Sequence, residues 1–148
     1  MKNKKRKNTS YKPMPVWSWL IVVVVILAVA VFIVLQQSQR AAAPLPAEIT
    51  VAQAAQQRDQ GAFILDVREP AEWAQFHIPG ATLIPLGELP NRLNEVPKDR
   101  QVVVVCRTGI RSAQGRDILL KAGFTRVTSM TGGLTQWQAQ GLPVATGQ

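Results

Sequence analysis

The longest hydrophobic pattern in this sequence is an uninterrupted apolar run near its start. Residues 16–35 are apolar except for Ser18, and they show no polar face. At about 1.5 Å per residue, a helix of this length matches a hydrocarbon core about 30 Å thick. A helix in a soluble core would carry a polar face. The pattern therefore predicts one transmembrane helix over 16–35.

After this run, short apolar stretches alternate with segments of helical character. The apolar stretches predict buried strands at 63–67, 82–84, 102–105 and 127–130. Helices are predicted at 51–59, at a short segment beginning with Pro70, at 86–93, at 112–122 and after Gly132-Gly133. Strands that alternate with helices predict an α/β fold with parallel pairing and right-handed crossovers, which makes an open α/β/α sandwich.

The same pattern divides the chain into four parts. Between the apolar run and the first predicted helix lies a polar stretch rich in alanine and proline, which is typical of a spacer. The predicted parts are a basic tail at 1–15, a membrane anchor at 16–35, a linker at 36–46 and a folded domain at 47–148.

The formal charge of +8 is concentrated at one end of the chain. Six of the seventeen Lys and Arg residues lie within residues 1–12, which hold no acidic residue. From Ala41 onward there are ten basic and nine acidic residues, so the domain is nearly neutral and a nucleic-acid partner is not expected. Basic flanks of a membrane span stay in the cytoplasm. We therefore expect a single-pass membrane protein with a cytoplasmic N-terminus and an extracytoplasmic domain.

A cleaved signal peptide is the alternative to an anchor, because both have a basic region followed by an apolar one. Ala41-Ala42-Ala43 resembles a cleavage site, but Arg40 and Pro44 flank it unfavourably. The apolar run is also longer than the about 7 to 15 residues of a signal-peptide core. The sequence favours an uncleaved anchor, and either outcome exports the domain.

Candidate chemistry centres on Cys106, the only cysteine of the chain. It follows the predicted strand 102–105 and precedes a short loop that contains Gly109 and leads into a helix. At the carboxyl end of such a strand, backbone N–H groups converge and ligands bind. The helix dipole and the flanking Arg107 and Arg111 favour the charged form of a thiol at this place. A buried structural cysteine is the alternative, but such a residue would lie inside the strand rather than at its end.

Four motifs in order resemble the rhodanese homology domain in its single-domain form. They are Ile64 to Trp73, His77-Ile78-Pro79-Gly80-Ala81, Cys106-Arg107-Thr108-Gly109-Ile110-Arg111-Ser112, and Gly132-Gly133 with Trp137 and Gly141-Leu142-Pro143. The similar region covers about residues 47–145. The resemblance implies a parallel five-stranded sheet flanked by helices. It also implies a sulfurtransferase that moves sulfane sulfur from a thiosulfate-like donor to a thiol or cyanide through a Cys106 persulfide, without a metal or organic cofactor.

Roles for other residues follow from this resemblance and from their chemistry. The loop residues Arg107, Thr108, Gly109, Ile110 and Arg111 are candidate substrate-binding residues. Arg111 is expected to grip an oxyanion through its planar guanidinium, Gly109 to let the loop bend, and Thr108 and Ile110 to offer backbone N–H groups.

Three further residues are expected to act as supports rather than in the chemistry. Asp66 and Arg68 follow another predicted strand, from which they can brace the loop around Cys106. The resemblance implies that His77 is a hydrogen-bonded structural histidine. A general base is also not needed when the cysteine is already a thiolate.

Two alternative functions remain open. The first is a persulfide carrier or sulfur-binding interaction module that does not turn over. The second, less favoured, is a phosphatase, because related folds use a cysteine loop closed by arginine. Cys106 and Arg111 enclose four residues, one fewer than a phosphatase loop needs. The donor, the acceptor and the oligomeric state are not specified by the sequence.

Overall fold

The computed structural model describes residues 16–42 and 45–147, in two compact units that divide between Ala43 and Pro44. The first unit contributes one helix, α1, over Val16–Ala42. Predicted tail residues 1–15 lie outside the described residues. Among the residues that are described, no helix combines the length and the hydropathy needed to cross a membrane. The predicted transmembrane helix is therefore not confirmed as a span.

The linker predicted at 36–46 stays a prediction, and the part of it at 36–42 is helical. Helix α1 continues to Ala42 instead of ending at Leu35. Gln36, Gln37 and the alanines after Arg40 are compatible with a helix, since alanine and glutamine have high helix propensity. Residues 45 and 46 belong to the second unit and have no regular structure.

The second unit is a parallel sheet of five strands with helices on both faces. In chain order its elements are β1 Glu48–Ile49, α2 Val51–Asp59, β2 Phe63–Asp66, α3 Pro70–Gln75, β3 Thr82–Leu83, β4 Val102–Val105, α4 Ile110–Lys121, β5 Val127–Met130 and α5 Gly133–Ala139. The strand order is β1-β5-β4-β2-β3, and every neighbouring pair is parallel. The α/β sandwich expected from the sequence is confirmed.

The central strand β4 shows why this sheet is covered on both sides. Val102 and Val104 join a core cluster with Leu65 and Leu119. Val103 and Val105 join a second cluster on the other face, which includes Trp137. Since successive side chains of a strand point to opposite faces, a run of four buried valines requires two apolar layers.

Two predicted helix boundaries depend on local chemistry that the structure shows. Thr50 caps α2, because its hydroxyl accepts the Gln53 N–H at 3.3 Å and the Gln53 side chain accepts the Thr50 N–H at 2.9 Å. The predicted helix at 86–93 is instead two 3₁₀ turns, Leu89–Asn91 and Leu93–Glu95. Pro90 lacks the N–H that a continuous α-helix would need there.

The order of the strands determines where the site lies. Strand β4 pairs with β2 on one side and β5 on the other. The segments after these three strands therefore emerge together at the carboxyl edge of the sheet. They are the loop after Asp66, the loop after Val105 and the Gly132-Gly133 turn after Met130.

Candidate functional site

The Cys106 side chain lies at the bottom of a tight loop between β4 and α4. The residue is 1% exposed. The Gly109 N–H points at its Sγ, with 3.1 Å between nitrogen and sulfur. A backbone N–H aimed at sulfur, at the start of a helix, stabilises a negative charge on that atom. The loop thus holds a nucleophilic atom in place and surrounds it with backbone.

Gly109 gives the loop the bend that this contact needs. Its φ is +115°, a conformation that residues with a side chain rarely adopt. Helix α4 begins directly after it, at Ile110, two residues earlier than the predicted start at Ser112. The early start brings the first turn of the helix up to the sulfur.

Ser112 braces the loop from below, a role that sequence reasoning did not assign. Its Oγ lies 2.7 Å from the Gly109 carbonyl oxygen and 3.2 Å from that of Met130. The Cys106 thiol in turn lies 3.7 Å from this Oγ. The hydroxyl is fully buried, so it links the loop to the end of β5. Its place in the first turn of a helix after the cysteine is the signal that could have identified it.

The N-terminus of α5 holds the first half of the loop. Leu134 N–H donates to the Cys106 carbonyl at 2.8 Å, and Thr135 N–H donates to the Arg107 carbonyl at 3.0 Å. The Thr135 hydroxyl donates to the same Arg107 carbonyl at 2.9 Å. The two glycines that open α5 allow this close approach, because a Cβ on Gly133 would overlap the backbone of Arg107 and Thr108.

Replacing Gly133 with alanine is expected to disturb the loop directly. Its φ is +58°, so left-handed strain adds to the overlap with Arg107, and we expect a loss of about 2–4 kcal/mol in the free energy of unfolding. Gly61→Ala is the matched control, because Gly61 also has a positive φ of +88° but open space around it. The control should lose only about 1–2 kcal/mol. Equal losses in denaturant unfolding would contradict a packing role for Gly133.

Asp66 and Arg68 form a buried ion pair beside the loop. The Arg68 Nη2 donates to Asp66 Oδ2 at 2.6 Å, and the two side chains are 2% and 0% exposed. Arg68 also donates to the carbonyls of Phe76 and Glu72, at 2.8 and 3.3 Å. The pair therefore ties the end of β2 to the middle of α3 and to the residue that follows this helix. The predicted bracing role fits this geometry and stays a prediction.

Arg111 is paired within the chain. Its two terminal nitrogens donate to the two carboxylate oxygens of Glu72, at 2.7 and 2.8 Å. The Arg111 hydrogen bond is the main cause that lowers the pKa of Glu72 to about 2. Burial of Glu72 opposes this shift. Glu72 was not predicted as a site residue, and the contact of Arg111 with substrate stays a prediction.

The other loop residues face outward. Arg107, Thr108 and Ile110 have exposed side chains, and Ile110 is 72% exposed. Arg107 lines a cleft beside the loop together with Arg68, Glu72, Phe76 and other residues of α3 and α5. A larger cleft lies at the amino ends of β2 and β4, on the edge of the sheet away from Cys106. The chemistry of the loop makes the smaller cleft the candidate approach for a substrate.

His77 is held by its surroundings, as expected. Its ring stacks on Trp73, with centroids 3.8 Å apart and an interplanar angle of 2°. Its Nδ1 lies 3.1 Å from the Trp73 carbonyl oxygen. The backbone of His77 bridges to Ala145, which closes the C-terminal segment onto the domain.

Comparison with known proteins identifies the family to which this domain is similar. Residues 50–140 match the rhodanese-like domain family. A sulfurtransferase of Allochromatium vinosum is 44% identical over 82 residues, which are 55% of this chain and 77% of that protein. The thiosulfate sulfurtransferase GlpE of Pseudoalteromonas translucida is 32% identical over 92 residues, 62% of this chain and 88% of that one.

Solved structures give the same result. The crystal structure of a rhodanese-related protein from Thermoplasma volcanium matches with a TM-score of 0.63 and 29% identity, over 68% of this chain and 98% of that chain. In other relatives the similar region spans only 21% to 60% of their length. With a cysteine loop at the carboxyl edge of a five-stranded parallel sheet, and with a family match over most of its length, the chain belongs to the rhodanese-like domain family of sulfurtransferases and sulfur carriers.

Proposed function

We propose that this protein is a sulfurtransferase that carries sulfane sulfur as a persulfide on Cys106. The observation that carries the proposal is the Gly109 N–H directed at Cys106 Sγ over 3.1 Å, at the end of β4 and the start of α4. This arrangement stabilises negative charge on the attacking sulfur and on the persulfide that replaces it.

The reaction has two steps. The Cys106 thiolate attacks the outer sulfur of a thiosulfate-like donor, a new S–S bond forms, and the old S–S bond breaks so that sulfite leaves with the electron pair. A thiol or cyanide then attacks the outer sulfur of the enzyme persulfide, and the thiolate is regenerated. No electrons are gained or lost overall, so the residues of the loop are sufficient and no cofactor enters.

The direct test is mass spectrometry of the full-length chain, purified in detergent, after incubation with thiosulfate. We expect the mass of one added sulfur atom, located on Cys106 by peptide mapping, and its loss when cyanide is added. Repeated formation of thiocyanate supports the enzyme. A persulfide that forms once per chain and passes on only to a partner protein supports the alternative carrier function. No added sulfur from thiosulfate, or from the hydropersulfide of a small thiol offered in its place, would refute both.

We also propose that α1 attaches the domain to a membrane. Large apolar side chains are exposed along this helix, among them Trp19 at 65%, Phe32 at 61% and Leu35 at 58%. An apolar surface of this extent is costly in water and marks a partner or a lipid phase. The basic residues that precede the helix favour a cytoplasmic N-terminus and an extracytoplasmic catalytic domain.

Membrane attachment is tested by fractionating cells that express the full-length chain. The protein should sediment with membranes, resist alkaline carbonate and dissolve in detergent. Protease added to the extracytoplasmic side should degrade the domain and leave the N-terminal tail intact. Release by carbonate, or protection of the domain, would contradict the proposal.

A further inference from the structure

The guanidinium that could bind an anionic donor is already occupied. Arg111 lies in the first turn of α4, next to the Cys106 loop, and both of its terminal nitrogens are used by Glu72. The edge of the guanidinium formed by the two terminal nitrogens makes one two-point contact at a time. A carboxylate fits this edge as well as an oxyanion of a substrate does. An oxyanion that uses the same face of Arg111 must first displace Glu72.

Glu72 is fixed in this position by more than Arg111. Its Oε2 also accepts the Glu69 N–H at 3.1 Å, at the start of α3. The low pKa of about 2 keeps its carboxylate ionised at neutral pH. In return, hydrogen bonding to Glu72 is the main cause that raises the pKa of Arg111, ahead of the charges of Glu72, Cys106 and Glu69. The pair is thus a neutral unit beside the nucleophile.

This pairing changes which donors the site favours. A dianion such as thiosulfate gains the positive charge of Arg111 only when it separates the pair, and it then lies close to the displaced carboxylate. The hydropersulfide anion of a thiol without carboxylates carries one negative charge, on sulfur, and has no oxyanion group, so it does not need the two-point contact with Arg111. Like charges brought together in a partly buried site oppose binding.

We propose that Glu72 is a specificity-determining residue, which occupies Arg111 and so makes hydropersulfides of small thiols better donors to Cys106 than thiosulfate. The inference rests on the proposed function of Cys106. In the favoured reaction the thiolate attacks the outer sulfur of the hydropersulfide anion. The S–S bond of the donor breaks, its thiolate leaves with the electron pair, and the persulfide on Cys106 forms, without any change in the number of electrons.

Glu72→Gln tests this assignment, because glutamine keeps the length of the side chain and an oxygen for the Glu69 N–H but has no charge. The measurement is the rate of persulfide formation on Cys106 of the full-length chain, followed by mass spectrometry at increasing concentrations of thiosulfate or of the hydropersulfide of 2-mercaptoethanol, which has no carboxylate. In the unmodified protein, the ratio of maximal rate to half-saturating concentration should be about tenfold higher for the hydropersulfide of 2-mercaptoethanol than for thiosulfate. In E72Q, the half-saturating concentration of thiosulfate should fall by about tenfold, with little change in maximal rate or in the persulfide reaction.

Two further variants test whether the half-saturating concentration of thiosulfate depends on the charge of Glu72 itself or on any carboxylate near the loop. Glu69→Gln removes a neighbouring carboxylate that has no hydrogen bond to Arg111, and its thiosulfate dependence should stay within about twofold of the unmodified protein. Glu72→Asp keeps the charge and should keep the preference for the hydropersulfide of 2-mercaptoethanol over thiosulfate. An unchanged half-saturating concentration in E72Q, or an equal change in E69Q, would overturn the proposal while leaving the persulfide on Cys106 intact. Failure of both donors to modify Cys106 would instead refute the proposed function itself.

Discussion

Cys106→Ser is expected to abolish persulfide formation and to reduce sulfur transfer by more than about a thousandfold. A serine hydroxyl is not ionised at neutral pH and cannot form the S–S bond that stores the transferred atom. The new Oγ can still accept the Gly109 N–H, and the smaller oxygen fits where Sγ packs. The free energy of unfolding should therefore change by no more than about 1 kcal/mol.

The chain itself provides a clean background for this experiment. Cys106 is the only cysteine, so the serine variant has no thiol that could take up sulfur or react with an alkylating agent. We would compare thiocyanate formation, the mass after thiosulfate treatment and the urea unfolding curve of the two proteins. Sulfur transfer by a folded serine variant would show that another group performs the chemistry.

The sequence was sufficient to place Cys106 at the carboxyl end of a buried strand, because the signal for that position is local. Four consecutive valines predict a strand that is buried on both faces, and Cys106 follows them directly. The structure has that strand at Val102–Val105 in the middle of the sheet. The start of α2 is equally local, since Thr50 and Gln53, which form its cap, lie within four residues of each other.

Features that depend on contacts between distant parts of the sequence could not be predicted from local patterns. Strand β1 has only two residues, Glu48 and Ile49, too few to show a hydrophobic period. It is defined by pairing with β5, through hydrogen bonds such as Thr131 N–H to the Ile49 carbonyl at 2.9 Å. The fifth strand was therefore expected only from the family resemblance.

The partner of Arg111 is the clearest case of this limit. Glu72 lies 39 positions earlier, and the sequence offers several other carboxylates. The choice among them is made by the sheet, because β2 lies next to β4 and brings the start of α3 to the start of α4. The residue pattern within α3 or within α4 does not show that these two helices start next to each other.

The largest expected effect on stability comes from removing the charge of Arg68. Arg68→Met should lower the free energy of unfolding by about 3–5 kcal/mol. The methionine fills much of the space, but the Asp66 carboxylate stays buried at 0% exposure with no counter-ion. The Phe76 carbonyl also loses the donor that Arg68 supplies at 2.8 Å.

A second variant shows whether the stranded charge causes this loss. In Asp66→Asn combined with Arg68→Met, the buried carboxylate becomes a neutral amide, so at least about 1 kcal/mol of the loss should return. Arg92→Ala is the control for an exposed ion pair. The Arg92 side chain is 34% exposed and forms ion pairs with Glu88 and Glu95. This variant should lose less than about 1 kcal/mol of the free energy of unfolding. Urea unfolding of the four proteins measures all these values. If the double variant were no more stable than Arg68→Met, packing around the arginine, rather than its charge, would be what holds β2 to α3.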